Sequence, residues 1–258
     1  MKVQDEALRF GLTRDVRRLF ATRILRMFAY GLISVVLVLH LAAAGLSEGQ
    51  IGLLLTLTLL GDTGISLLIT TRADRAGRRR MLRIGAFLMV LAGALFALTR
   101  SFWLLLLAAT LGVISPSGNE VGPFLAVEQA ALTQTLPAAR RTAVFAWYNL
   151  SASFATAFGS LTGGALAEAM QGNGVSALGS YRTLACLYAV GGVGLAVLFS
   201  RLSTAVEARA AISGETPPPI PVFHLGLGRS RHQVFKLAGL FSMDAFAGGF
   251  VVQAFVAY

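Results

Sequence analysis

The fold class is indicated most clearly by residues 50–80, QIGLLLTLTLLGDTGISLLITTRADRAGRRR. Between positions 51 and 71 this stretch carries a single charged residue, Asp62, and it then turns into a run of arginines. A helix needs about 20 predominantly apolar residues to cross a bilayer, and a basic cluster at one end is typical of a loop retained in the cytoplasm. The stretch therefore predicts a transmembrane helix followed by a cytoplasmic loop.

The composition of the whole chain agrees with this reading. Of its 258 residues, 55% are hydrophobic and only 13% are charged, and the mean hydropathy is +0.70. Because a soluble domain carries roughly 25% charged residues, the composition excludes a soluble globular domain, and the apolar content excludes intrinsic disorder. The one cysteine, Cys186, allows no internal disulfide and no zinc pattern. We expect neither a metal nor a cofactor.

Seven apolar stretches are long enough to cross a bilayer, and they are continuous rather than alternating with polar residues. Continuous apolar runs of this length favour helices over strands. The sequence therefore predicts an all-α, polytopic membrane protein with helices near residues 24–45, 50–71, 82–99, 102–127, 142–169, 181–200 and 236–258.

The net charge of +10 is explained by membrane topology. Twenty of the 22 lysines and arginines fall in the N-terminal segment and in alternate loops, and the other two are Arg100 and Arg182. By the positive-inside rule, this distribution predicts a cytoplasmic N-terminus. We expect the chain to lie in the cell or inner membrane, with the bilayer and not a nucleic acid as its partner.

A break in the pattern divides the chain into three parts. Residues 1–200 are predicted to form a six-helix bundle, and residues 201–235 a cytoplasmic linker, because prolines 217–219 cannot continue a helix. Residues 236–258 are predicted to be the first helix of a second bundle, since Lys236 and Phe241 repeat the arrangement of Arg23 and Phe28. The repeat predicts a longer protein, of which this chain is the first half plus one helix.

The loop after the second predicted span carries a recognisable motif. In TTRADRAGRRR, residues 70–80, the matching positions are Asp74, Arg75, Gly77, Arg78 and Arg79, while Thr70 replaces the expected leading glycine. This resembles the G-x-x-x-D-R-x-G-R-R-R/K loop motif of the major facilitator superfamily. The resemblance implies a secondary transporter of two six-helix halves, monomeric when full length. The motif would then act as a cytoplasmic gate between the halves.

A second pattern lies in the fifth predicted span, where Gly159, Gly163 and Gly164 resemble the G-P-x-x-G-G signature of antiporters in that superfamily, with Ser160 in place of the proline. The resemblance favours export of a small molecule. The alternative interpretation is that these small residues only allow close helix packing, as small residues do in membranes.

Ionisable residues inside the bilayer are costly and are functional candidates for that reason. Asp62 lies in the middle of the second span, and Asp244 lies in the seventh. Asn119 and Glu120 occupy the fourth span between two prolines, which are expected to interrupt that helix and free backbone carbonyls. We predict that these residues contact the substrate or carry the coupling proton. The alternatives are a structural hydrogen bond from Asp62 to a neighbouring helix and an interfacial kink in which Glu120 pairs with an arginine.

Three further residues are interpreted from their positions. Arg26 and Tyr30 share one face of the first span and either line the cavity or, for Arg26, extend to the cytoplasmic surface. Glu128 is expected to pair with Arg140 or Arg141 near the cytoplasmic end.

The predicted function is proton-coupled transport, with two alternatives. One is a transporter-like sensor or assembly protein without net flux. The other is an intramembrane enzyme, which the absence of HExxH, GxSxG and GxGD patterns disfavours.

Overall fold

The computed structural model describes residues 13–111, 114, 124–207 and 231–249. All regular elements in these ranges are helical, which confirms the predicted all-α membrane fold. The helices are α1 Arg14–Ala43, α2 Glu48–Ala76, α3 Arg78–Leu98, α4 Phe102–Leu111, α5 Phe124–Thr135, α6 Arg141–Gly172, α7 Ala177–Ser200 and α8 Arg231–Gly249, with short 3-10 turns at Ala138–Arg140 and Thr204–Val206.

The predicted spans correspond to these helices. In the fourth span, near residues 102–127, the structure describes α4 up to Leu111, a non-helical Ile114 and α5 from Phe124, in agreement with the interruption expected from the prolines. The prolines at 116 and 123 cannot continue a regular helix. Four described helices are both long and apolar enough to span a membrane, namely Arg14–Ala43, Glu48–Thr70, Arg78–Leu98 and Ala177–Ser200.

Helix boundaries follow from local backbone chemistry. Ser47 caps α2 by accepting a hydrogen bond from the Gln50 N–H, and the Gln50 side chain accepts one from the Ser47 N–H. This reciprocal arrangement is a capping box. The turn from α1 to α2 uses Gly45 at φ 95°, a left-handed conformation that favours glycine. The long apolar segments therefore begin and end where the sequence supplies caps and turns.

Helix α1 forms the centre of the bundle. It packs mainly against α6 and α7, while α3 packs against α7 and α2 against α4. In the most apolar window of α1, 67% of the residues are buried inside the protein, against 17% for α2. A polar side chain on the inner face of α1 is therefore surrounded by protein rather than by lipid.

Glycines bring α1 and α6 into backbone contact. A Cβ on Gly159 would clash with the Phe28 carbonyl, and one on Gly163 would clash with the Leu32 carbonyl. Gly164, grouped with them in the sequence analysis, has no described atom within 4 Å of such a Cβ and lies in the wall of a groove. Small residues at such a crossing let helices approach closely in a membrane.

Candidate functional site

A fully buried ion pair joins α1 to α5. Arg26 Nη2 lies 2.7 Å from Glu128 Oε2, and Arg26 Nη1 lies 2.9 Å from Glu128 Oε1. Neither side chain is exposed. This fork-to-fork geometry supplies two charge-assisted hydrogen bonds and fixes the relative orientation of both groups.

Two hydroxyl groups complete the environment of Glu128. Thr22 Oγ1 donates a hydrogen bond to Glu128 Oε1 at 2.9 Å, and the Tyr148 hydroxyl donates one to Oε2 at 2.5 Å. These donors replace the water that the carboxylate loses on burial. Thr22, Arg26, Glu128 and Tyr148 form what we call the ion-pair cluster, which ties α1, α5 and α6 together.

Aromatic rings and a second arginine surround the ion-pair cluster. The Arg23 guanidinium lies 4.3 Å from the centroid of the Tyr148 ring, and Arg23 Nη2 donates to Asn149 Oδ1 at 3.1 Å. The Arg26 guanidinium lies 4.7 Å from the centroid of the Phe124 ring. Contacts of this kind stabilise a cation that is shielded from water.

These contacts correct two interpretations. Arg26 does not extend to the surface, because it is fully buried against Glu128. The expected pairing of Glu128 with Arg140 or Arg141 is also wrong, because Arg26 occupies both of its oxygens. The crossing of α1 and α5 joins residues that are 102 positions apart, a contact that proximity along the chain does not suggest.

A second buried carboxylate lies in the middle of α2. Asp62 is only 1% exposed. Among the described residues, no donor lies within hydrogen-bond distance of either of its carboxylate oxygens. Glu128 thus accepts hydrogen bonds at both of its carboxylate oxygens, whereas Asp62 is buried away from water without a described donor.

Two buried tyrosines pack together between α1 and α7. Tyr30, one helical turn after Arg26 on α1, stacks on Tyr188 of α7 with 6.3 Å between ring centroids and 23° between planes. Neither tyrosine is exposed. Tyr30 is a predicted site residue, whereas Tyr188 and Tyr148 are not, because they occur in apolar runs and carry no local signal.

Replacing Asp62 with leucine is expected to stabilise the fold. The change removes a buried polar group without a described donor, and such a group costs about 1–3 kcal/mol. We expect the free energy of unfolding in detergent to rise by that amount, measured by denaturant titration with circular dichroism. Glu48→Leu, at an exposed carboxylate of the same helix, is the control and should change it little. A destabilised Asp62→Leu variant would mean that Asp62 has donors that stabilise it.

The other predicted site residues are placed as follows. Asn119 and Glu120 lie outside the described residues. Asp244 is exposed on α8, as are the neighbouring side chains that the structure describes on that helix. Asp74 and Arg75 fall in the last turn of α2, but their side chains are outside what the structure describes. Within the described ranges, no cluster of His, Cys, Asp and Glu could hold a metal ion.

The rest of the gate motif forms a tight turn between α2 and α3. Gly77 has φ 95°, which a side chain would disfavour. The Arg78 guanidinium is buried, and its Nη1 donates to Gln134 Oε1 at 2.9 Å and to the Val206 carbonyl at 3.3 Å. The turn is thus attached to the end of α5 and to the segment that follows α7.

A bundle of long apolar helices with buried charges defines an integral, multi-pass membrane protein. Its family follows from comparison with known proteins: residues 19–258 match the model of the Major Facilitator Superfamily. The chain belongs to this superfamily.

A relative is the Saccharomyces cerevisiae uncharacterized membrane protein YJR124C, which is 38% identical over 197 residues. The alignment covers 76% of this chain but only 44% of that relative. The matched region therefore spans less than half the length of that relative.

Proposed function

We propose that the chain is the N-terminal part of a proton-coupled secondary transporter that exports a small molecule by alternating access. Membership of the superfamily supports transport in general. The resemblance of Gly159, Gly163 and Gly164 to the antiporter signature supports export. In this proposal residues 1–200 are one rocking half, residues 201–235 the linker and residues 236–258 the first helix of the other half.

The observation that carries proton coupling is the burial of Asp62 in the middle of α2, without a described hydrogen-bond donor. Desolvation of a carboxylate without donors favours its neutral, proton-carrying form. A change of conformation that admits water or a cation to Asp62 would favour release of the proton. Binding and release on opposite sides of the membrane would couple proton movement to the switch between states.

The ion-pair cluster has a different role in this proposal. Because Glu128 is held by four donors on three side chains, it gives the half-transporter a rigid centre. Tyr30, which is fully buried against Tyr188 in this structure, is proposed to contact the substrate when the halves move apart. Asn119, Glu120 and Asp244 are proposed to complete the cavity together with the second half.

The proposed orientation places the N-terminus in the cytoplasm. The turn that carries the gate motif then lies at the cytoplasmic end of the bundle, where the exposed part of the motif would join the two halves when the inner side is closed. The positive-inside distribution of basic residues supports this orientation, and a cell or inner membrane would be the location.

Substitution of Asp62 by asparagine tests the proposal. In proteoliposomes holding the whole native protein and an imposed pH gradient, the wild type should accumulate at least one compound of a panel against its concentration gradient. Asp62→Asn should abolish this uphill transport and preserve exchange at equal pH, because only the coupled proton is lost. Glu48→Gln, at an exposed carboxylate of the same helix, is the matched control and should behave as wild type.

Two results would count against the proposal. Uphill transport that survives Asp62→Asn would remove Asp62 from the coupling mechanism. Saturable binding of a compound by the wild type, with no flux under any gradient, would instead indicate a sensor or assembly protein.

A further inference from the structure

The first turn of α3 concentrates positive charge and contains no residue that could balance it. Three arginines, Arg78, Arg79 and Arg80, occupy this turn, which contains no acidic residue. The preceding Gly77 has no side chain to cap the helix. Since the N-terminus of a helix carries partial positive charge and unpaired N–H groups, this helix start requires an anion from elsewhere in the chain.

Glu207, which follows α7, supplies that anion. Its Oε2 accepts a hydrogen bond from the Arg78 N–H at 2.7 Å, and its Oε1 accepts one from the Arg79 N–H at 3.3 Å. The same carboxylate lies 3.5 Å from the position a Cβ would take on Gly77. Glu207 therefore caps a helix that begins 129 residues earlier in the chain.

The segment that carries Glu207 is attached to the bundle at several other points. Gln134 Nε2 donates to the Glu207 carbonyl at 2.7 Å, and Val206 is fully buried. The Ser203 N–H donates to Asp15 Oδ1 at 3.1 Å, and the Ser203 hydroxyl donates to Asp15 Oδ2. We call residues 201–207 the strap, because they connect the start of α1, the start of α3 and the end of α5.

We propose that Glu207 is a positioning residue that holds the gate-motif turn in a fixed place on the N-terminal bundle. The turn and α3 then move with the bundle as one body, and the exposed part of the motif is presented to the second half in one orientation. The functional part of this inference rests on the proposed transport function, since a gate has meaning only in a transporter.

The test measures the position of the turn in the whole native protein. In a Cys186→Ala background, Ala76→Cys next to the turn and Ala139→Cys on the 3-10 turn place spin labels at two exposed positions. Pulsed electron paramagnetic resonance in nanodiscs gives the distribution of distances between them. We expect a narrow distribution for the wild type and a distribution about twofold wider for Glu207→Gln, because the cap is lost.

Three controls keep the test specific. Glu168→Gln changes an exposed glutamate on α6 and should leave the distribution narrow. Glu207→Asp keeps the negative charge on a shorter side chain. Its distance distribution should be narrower than that of Glu207→Gln and wider than that of the wild type. Gln134→Ala removes the hydrogen bond from the Gln134 side chain to the strap and should give a distance distribution of intermediate width. This variant provides a second test if Glu207→Gln does not fold.

Transport measurements add the functional consequence. Glu207→Gln should lower kcat about tenfold and leave KM within about twofold, since the gate and not the substrate site is affected. A distribution as narrow as wild type in Glu207→Gln would overturn the positioning role. If the wild type shows no uphill transport while the distribution widens as expected, the transport proposal fails and the positioning role stands.

Discussion

Replacing Glu128 with glutamine is expected to lower the free energy of unfolding by about 3–5 kcal/mol, the cost of removing one partner of a buried ion pair. Arg26 would remain fully buried with its charge uncompensated. The Tyr148 hydroxyl and the Thr22 hydroxyl would also lose a charged acceptor. Denaturant titration in detergent, followed by circular dichroism, measures the change.

A compensated pair of changes separates charge from packing. Arg26→Met combined with Glu128→Leu removes both charges and keeps the interior apolar, so most of the lost stability should return. Glu168→Gln, at an exposed glutamate, is the control and should leave the free energy of unfolding nearly unchanged. If Glu128→Gln were as stable as the wild type, the pair would not be the rigid centre of the bundle.

Replacing Gly159 with alanine is expected to destabilise the protein by about 1–3 kcal/mol or more, the range for overpacking a close contact. The added methyl group would clash with the Phe28 carbonyl, which is backbone and cannot rotate away. The α1–α6 crossing would have to open, and with it the contact between Tyr148 and Glu128. Thermal unfolding followed by circular dichroism measures the loss.

Gly164→Ala is the matched control, five residues further along the same helix. No described atom lies within 4 Å of its added methyl group. Alanine in a helix interior is favoured over glycine by about 0.5–1 kcal/mol, so this variant should be neutral or more stable. Equal effects of the two substitutions would show that the α1–α6 contact is looser than the structure indicates.

The membrane class and the helices could be predicted because hydropathy is a local property. Within a bilayer, an apolar segment hydrogen-bonds its own backbone N–H and C=O groups by forming a helix, whichever helices lie beside it. Asp62 was identified for the same reason, since one charge in such a run is visible without knowledge of its neighbours. The prolines at 116 and 123 likewise predicted that the fourth apolar stretch would not be a regular helix.

The partners of the buried charges could not be predicted, because they are decided by helix crossings. Nothing in the sequence near Glu128 indicates Arg26, and the nearer Arg140 and Arg141 suggested the wrong pairing. Glu207 was missed because its target is a helix start far from it in the chain. A signal did exist: α3 starts with three arginines and a glycine, without any anion of its own. Such a helix start indicates that a carboxylate from elsewhere in the chain caps it.

The central claim, that Asp62 carries the coupling proton, is tested most directly by infrared difference spectroscopy on the whole native protein. Spectra recorded between about pH 5 and pH 9 show carboxyl groups that gain or lose a proton in the range where carboxyl groups in apolar sites titrate. We expect a carbonyl band of a protonated carboxyl group that is present in the wild type and in Glu48→Gln and is lost in Asp62→Asn. Identical spectra for the wild type and Asp62→Asn would contradict it.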